Sequence, residues 1–192
     1  MTRIRFLLSA LLALCLALAG CSKQEPAEAA APKRTASVEI VSAEGKGFTV
    51  GAMMNANAVY VIFDAQCPHC ARLWEASVPL HKKAKFVWIP VGLLNAASSS
   101  QGAALLSAAD PAQAMADHEK SMLAGQGGIS ASASTTPAME AALKSNTRLF
   151  NNLSLESVPF TITRNARTGM TVSRGGAMDT AALAELIGVD AP

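Results

Sequence analysis

Val59-Tyr60-Val61-Ile62-Phe63-Asp64-Ala65-Gln66-Cys67-Pro68-His69-Cys70 is the stretch on which the reading of this chain turns. Its first five residues form an unbroken β-branched and aromatic run, the pattern of a buried central strand. Its last four are a C-x-x-C pair. Beyond them Leu73, Trp74, Ser77 and Val78 give one apolar helical face, with Pro79 bending or ending the helix. The stretch predicts a strand that leads directly into a helix carrying two cysteines at its start.

That placement has a chemical consequence. Free N–H groups and the macrodipole favour negative charge at a helix N-terminus, so the thiol of Cys67 loses its proton more readily and supplies a nucleophilic thiolate. Cys70, three residues on, is near enough to close an intramolecular disulfide and to resolve a mixed one. Pro68 fixes φ and has no N–H, which the first turn tolerates. His69 adds positive charge or a hydrogen bond beside the thiolate. Both effects stabilise the reduced form, and the composition points toward the lower end of the pKa range, about 7 to about 3.5, that such thiols span.

Rival chemistries for the pair are weaker. A zinc ribbon needs a second ligand pair, and c-type haem attachment needs His directly after the second cysteine, where Ala71 stands. An inert disulfide would close a loop too small to stabilise much. A Cu(I) site using both thiolates and His69 stays open, because soft ligands suit that ion. Met53, Met54, Met115, Met122 and Met139 show no copper-type repeat and read as core or surface filler.

Working outward, 192 residues suffice for one sizeable domain. Apolar residues make up 51% but aromatics only 5%, so the core is built from aliphatics and alanine. The net charge of +2 is dispersed, and no basic run with interleaved aromatics points to nucleic acid. At the start, Arg3 and Arg5 precede an apolar stretch from Phe6 to Ala19, which is short for a membrane span and suits a signal peptide. It ends in Leu18-Ala19-Gly20-Cys21, which resembles the lipobox of bacterial lipoproteins. Ala17-Leu18-Ala19 also fits an ordinary cleavage site. The expectation is a lipoprotein-type signal over 1–20 and lipidation of Cys21. Ser22 after it resembles outer-membrane sorting, so the chain is expected on the periplasmic side of that membrane. Attached acyl chains hold a protein on a membrane, two or more being needed for stable anchoring. With Cys15 removed and Cys21 lipidated, only Cys67 and Cys70 remain as thiols, in an oxidising compartment.

Residues 21–37, rich in Ala, Glu, Lys and Pro, read as a flexible lipid-anchored tether, and 38–192 as the folded domain. Val38-Glu39-Ile40-Val41 and Phe48-Thr49-Val50 flank Glu44-Gly45-Lys46-Gly47 and predict a hairpin. Phe86 to Val91 predicts a second buried strand. Ala103 to Leu123 predicts two helices, the second starting at Asp110-Pro111. Gly125 to Ser134 reads as a mobile loop, and Thr136-Pro137 opens a helix to about Phe150. Phe160 to Thr163 and Met170 to Val172 predict antiparallel strands joined by a turn at Asn165 to Gly169, before a closing helix from Thr180 to Ile187. The pattern is α/β: a thioredoxin-like fold with a helical insertion around 95–150.

The chain resembles the DsbG/DsbC branch of periplasmic disulfide oxidoreductases, its DsbG side most. The resemblance covers roughly Val59 to Gly188 and rests on Phe63 to Cys70, Trp74, Pro79, Ile89-Pro90-Val91-Gly92, Ala108-Ala109-Asp110-Pro111-Ala112 and Val158-Pro159. It implies that Pro159 is a cis-proline facing the cysteines and that Val158 pairs its backbone with a substrate peptide. By residue type alone, a trans proline at a strand edge is the default. It further implies exported cysteine-containing proteins as substrates, a membrane redox partner that resets the pair, and no cofactor.

Three features depart from the branch. His69 stands where Tyr is usual, and Val158 where Thr is usual, both as in DsbA. Only Ser22 to Ala58 precedes the core strand, which does not fit the branch's N-terminal dimerisation domain, so a monomer is expected. The direction of the redox chemistry stays open. Asp64, three residues before Cys67, either shares in proton transfer or satisfies local backbone groups. His81 near a helix end reads as structural, and His118, among polar residues of an alanine-rich helix, as solvated.

Overall fold

A computed structural model describes residues 33–130 and 135–192. The expected signal peptide, the Cys21 anchor and most of the expected tether lie outside these residues. The end of the tether is already docked. The Arg34 backbone N–H donates to the Asn152 carbonyl at 2.8 Å, and its guanidinium forms a two-pronged ion pair with Glu44.

In chain order the elements are α1 (Val38–Glu44), β1 (Phe48–Gly51), β2 (Ala58–Asp64), α2 (Pro68–Ser77) with a 3₁₀ turn at Val78–Leu80, and β3 (Lys85–Val91). There follow α3 (Ala96–Ser107), α4 (Pro111–Leu123), α5 (Pro137–Asn152), β4 (Phe160–Arg164), β5 (Thr171–Gly175) and α6 (Thr180–Ile187). The five strands form one sheet in the order β1-β3-β2-β4-β5. β2 is central, parallel to β3 in a register from Ala58↔Lys85 to Asp64↔Val91, and antiparallel to β4. β4 and β5 pair antiparallel, as the short connection between them requires.

The central strand is apolar throughout because both sheet faces are covered. Side chains alternate across a strand. Val59, Val61 and Phe63 therefore join a core with Leu73 and Trp74 of α2 and Leu183 and Ile187 of α6, whereas Ile62 meets Val41 of α1 and Leu149 and Phe150 of α5. On the first face Phe63 and Trp74 each set an edge against Trp88, with ring centroids 5.5 and 5.2 Å away. Such edge-to-face pairs suit the ring quadrupoles. They press α2 onto the sheet and so fix where its N-terminus stands.

The predicted hairpin at Val38–Val50 is not there. Val38–Glu44 is a helix, started by Ser37, whose Oγ accepts from the Ile40 N–H. Val41 is its one buried residue, packed under the sheet with Ile62 and Ile162. The β-branched composition favours a strand locally, and tertiary burial of one face overrides it. β1 pairs with β3 instead. Gly47 is needed at this join, because a Cβ there would collide with the Trp88 carbonyl oxygen.

Three helices make up the secondary structure of the insertion between β3 and β4 among the described residues, and the first starts at Ala96 rather than near Ala103. Asn95 caps it by accepting from the N–H groups of Ala97 and Ser98, while the Ser98 hydroxyl accepts from Asn95 N–H. Asp110 and Thr136 cap the next two helices, each with Pro as the first residue. No described helix is long and apolar enough to cross a membrane.

Candidate active site

Cys67 is the N-cap residue of α2, with Pro68 next and the Cys70 N–H bonded back to the Cys67 carbonyl at 2.9 Å. Both cysteines are free thiols and both are buried. They are unequal. The Cys67 thiol is lowered from the usual 9.0 to about 7, chiefly by a hydrogen bond from the Cys70 thiol. The backbone amides of Cys70 and His69 add to this, against the cost of burial and the nearby Asp64 charge. Cys70, with no exposed surface, is driven well above its usual value by burial first and then by its neighbour's sulfur. One sulfur is thus ready to ionise, and the other holds its proton.

The value near 7 departs from the lower end of the range expected from the motif. His69 is exposed, and it acts on the Cys67 sulfur through its backbone amide. Burial and the Asp64 carboxylate offset part of what the helix end gives.

Opposite α2, the Val158–Pro159 peptide bond is cis, and the Cys67 thiol points to the Val158 carbonyl oxygen at 3.6 Å. Pro159 is buried and Val158 half-buried. The structure therefore brings Cys67, Cys70, Val158 and Pro159 together, though Cys67 and Val158 are 91 residues apart in sequence.

Asp64 lies at the end of β2, fully buried, and its carboxylate is spent on backbone groups. Oδ1 accepts from Gln66 N–H at 2.8 Å, and Oδ2 from Leu93 and Leu94 N–H at 2.7 and 3.1 Å. It holds the turn before Cys67 against the end of β3. The alternative that it satisfies local backbone groups is the one the geometry supports.

His118, Gln66 and Gln101, to which the sequence assigned no part in the site, complete this turn. His118 is not solvated but wholly buried on α4. Its Nδ1 accepts from Ile129 N–H at 3.1 Å, so the proton sits on Nε2, which donates to the Ala65 carbonyl at 2.7 Å. Gln66 donates to Gln101 Oε1 at 2.5 Å and to the Gly127 carbonyl at 3.0 Å. Gln101 in turn donates to the carbonyls of Gly127 and Ile129, both at 2.8 Å. The described part of the expected mobile loop is thereby tied to the cysteine turn. Glu119, beside His118, is 1% exposed, and neither carboxyl oxygen has a hydrogen-bond partner among the described residues. Burial, with the Cys67 charge, pushes its carboxyl up to about 9. A signal for this face existed: Met115, His118, Glu119 and Met122 recur at helical spacing.

His81 is structural, though not as a cation at a helix end. Its ring packs between Trp74 and Phe86, and burial lowers its pKa. No group of three or more His, Cys, Asp or Glu side chains able to hold a metal ion occurs among the described residues.

No family model matches the chain. Over 132 residues, 68% of its length, it is 30% identical to the thiol:disulfide interchange protein DsbG of Pseudomonas aeruginosa, and it spans about half (50%) of that protein. Among solved structures, the catalytic domain of Proteus mirabilis ScsC superposes with a TM-score of 0.59 at 17% identity, covering 78% of this chain and 95% of that one. A periplasmic thioredoxin-like protein from Salmonella enterica serovar Typhimurium gives 0.63 at 13% identity, covering 80% and 97%. A disulfide interchange protein from Neisseria gonorrhoeae gives 0.57 at 19%, covering 76% and 97%. At these identities the structural likeness speaks for a thioredoxin-like fold.

Proposed function

We propose that this chain, DsbG/DsbC-like in sequence and thioredoxin-like in fold, is an exported thiol–disulfide oxidoreductase acting on cysteine-containing exported proteins. One observation carries the reading: Cys67 caps a helix N-terminus beside a fully buried Cys70 and faces the Val158 carbonyl, before the cis-Pro159, at 3.6 Å. Cys67 attacks a substrate disulfide as thiolate, or is the sulfur attacked when the pair is oxidised. Cys70 resolves the mixed disulfide. Pro68 sets the first turn, His69 lends its backbone amide, Asp64 fixes the approach to the turn, and Val158 and Pro159 present the opposite wall to substrate backbone.

The equilibrium potential decides the direction: a value of about −120 mV makes the pair an oxidant and one of about −270 mV a reductant. The copper reading has no comparable support: among the described residues no group of three or more His, Cys, Asp or Glu side chains is placed to hold a metal ion. Lipidation at Cys21, placement at the outer membrane, a monomeric state and a membrane redox partner complete the proposal. Mass spectrometry of the mature N-terminus and light scattering test the first and third.

The decisive experiment is exchange with glutathione. The wild-type chain should exchange, Cys67→Ser should abolish it, and Cys70→Ser should accumulate mixed disulfides at Cys67. A Cys67→Ser chain that exchanges as well as wild type would sink the assignment.

A further inference from the structure

Cys70 presents a difficulty that the pair alone does not solve. It is completely buried, and each redox cycle requires it to lose or gain a proton. An unneutralised thiolate at such a place is costly. The nearby candidates are mostly committed. Asp64 holds three backbone N–H groups, and both ring nitrogens of His118 are engaged. His69, Arg72 and Glu75 are exposed. The other elements packed on α4, namely α3 and β1, contain no ionisable side chain. Four side-chain atoms are buried without a hydrogen-bond partner among the described residues: Trp88 Nε1, Thr161 Oγ1 and the two Glu119 oxygens. Only Glu119 among them can exchange a proton near neutral pH. It lies on α4, packed against α2, one turn after Met115, which shares a buried core with both Cys67 and Cys70.

Resting on the thiol–disulfide reading above, we infer that Glu119 carries the proton that Cys70 exchanges, which makes the insertion helix α4 part of the redox machinery. In the oxidising direction a substrate thiolate attacks Cys67 Sγ. A substrate–Cys67 disulfide forms, the Cys67–Cys70 bond breaks, and its electron pair leaves on Cys70 Sγ. The protonated Glu119 carboxyl gives its proton to that sulfur, and the carboxylate is reprotonated from solvent. A second substrate thiolate then attacks the substrate sulfur of the mixed disulfide and releases Cys67 as thiolate. Two electrons have passed from the substrate dithiol to the protein disulfide. In reverse, Glu119 first releases its proton to solvent, and the carboxylate then takes the Cys70 proton as Cys70 attacks Cys67 and the substrate thiolate leaves. Burial holds the carboxyl protonated at neutral pH, as the donor role requires.

The test uses the full chain with its Cys67–Cys70 disulfide formed and dithiothreitol as the attacking thiol. Glu119→Gln keeps the size and neutrality of the protonated acid. Positioned acid–base groups contribute about 10²–10⁴-fold, so opening at pH 7 should slow by at least about tenfold, with Glu119→Asp partly restoring it. Carboxyl NMR of the wild-type chain labelled with ¹³C-glutamate provides a readout independent of the variant's folding. Glu119 should titrate far above ordinary glutamates and at different pH in the disulfide and dithiol forms. A Gln variant opening at the wild-type rate would overturn the inference, as would a carboxyl titrating normally and identically in both forms. A wild-type disulfide opened no faster than a small reference disulfide would instead overturn the thiol–disulfide reading, and this inference with it.

Discussion

The largest influence on Cys67 is the hydrogen bond from Cys70, and this can be tested by removing it. A fall from 9.0 to about 7 is about a hundredfold in the thiolate-to-thiol ratio. At pH 7 roughly half the Cys67 sulfurs are ionised, where about one in a hundred would be at the usual value. Cys70→Ala deletes the thiol donor but keeps the backbone amides of residues 69 and 70, which also lower the Cys67 pKa. The midpoint should therefore rise only part of the way. A rise of a full unit would leave about one sulfur in eleven ionised at pH 7, roughly a fivefold drop in thiolate, and a smaller rise gives a smaller drop. The assay is the rate of alkylation by iodoacetamide against pH, with the modified residue mapped by mass spectrometry. Reaction at Cys67 alone is expected, since Cys70 is buried and protonated. Two results would refute the reasoning: a wild-type midpoint at the ordinary thiol value, or a Cys70→Ala midpoint still near 7.

Other consequences follow from the same groups. The reduction potential should fall by about 59 mV per pH unit below pH 7 and by about 30 above it, because reduction takes up two protons below the Cys67 midpoint and one above; equilibrium with glutathione at several pH values measures this. His118 and His81 both titrate below their unfolded value because of burial. Below about pH 6.5 the unfolded chain therefore binds protons that the folded one refuses, and unfolding free energy should drop with falling pH by up to about 1.4 kcal/mol per unit for each histidine. Urea denaturation at pH 7 and pH 5 tests it, with His118→Gln flattening the dependence. Asp64→Asn should cost on the order of 3 kcal/mol, as charge-assisted bonds to three backbone N–H groups are weakened. It should also lower the Cys67 midpoint, because the Asp64 charge opposes the thiolate.

Legibility in the sequence tracked how local the cause of each element is. β2, β3, the second insertion helix, α5 and α6 are visible because runs of apolar residues, N-cap side chains and Pro at the first helical turn act within a few residues. Val38–Glu44 was misread because its composition favours strand, whereas its partners, Ile62 and Ile162, lie far along the chain. The start of α3 was missed because its caps are Asn95 and a serine, with no proline to mark them. Within the site, Cys67 and Cys70 are readable from spacing, and Val158 and Pro159 only through resemblance. His118 reads as solvated from sequence and Glu119 carries no signal of its own, although both share a helical face with buried Met115, because polar residues in an alanine-rich helix are normally solvated.

The four residues leading into the reactive sulfur show why spacing alone cannot describe this site. Asp64 is fixed by the end of β3 through Leu93 and Leu94. Ala65 is fixed by α4 through His118. Gln66 is fixed by α3 through Gln101 and by the following loop through Gly127, and Cys67 faces the Val158 carbonyl before β4. Each successive residue is therefore held by a different part of the chain, and three of the four tethers originate in or beside the helical insertion. A thiolate at a helix end gains from the amides only if their directions are fixed before the charge appears, since reorienting them afterwards would consume the benefit. The insertion supplies that fixity. The C-x-x-C motif specifies which atoms react; the value near 7 arises from how the rest of the fold holds them, with burial and the Asp64 charge drawing the Cys67 thiol back from the strongly acidic range that the motif by itself suggests.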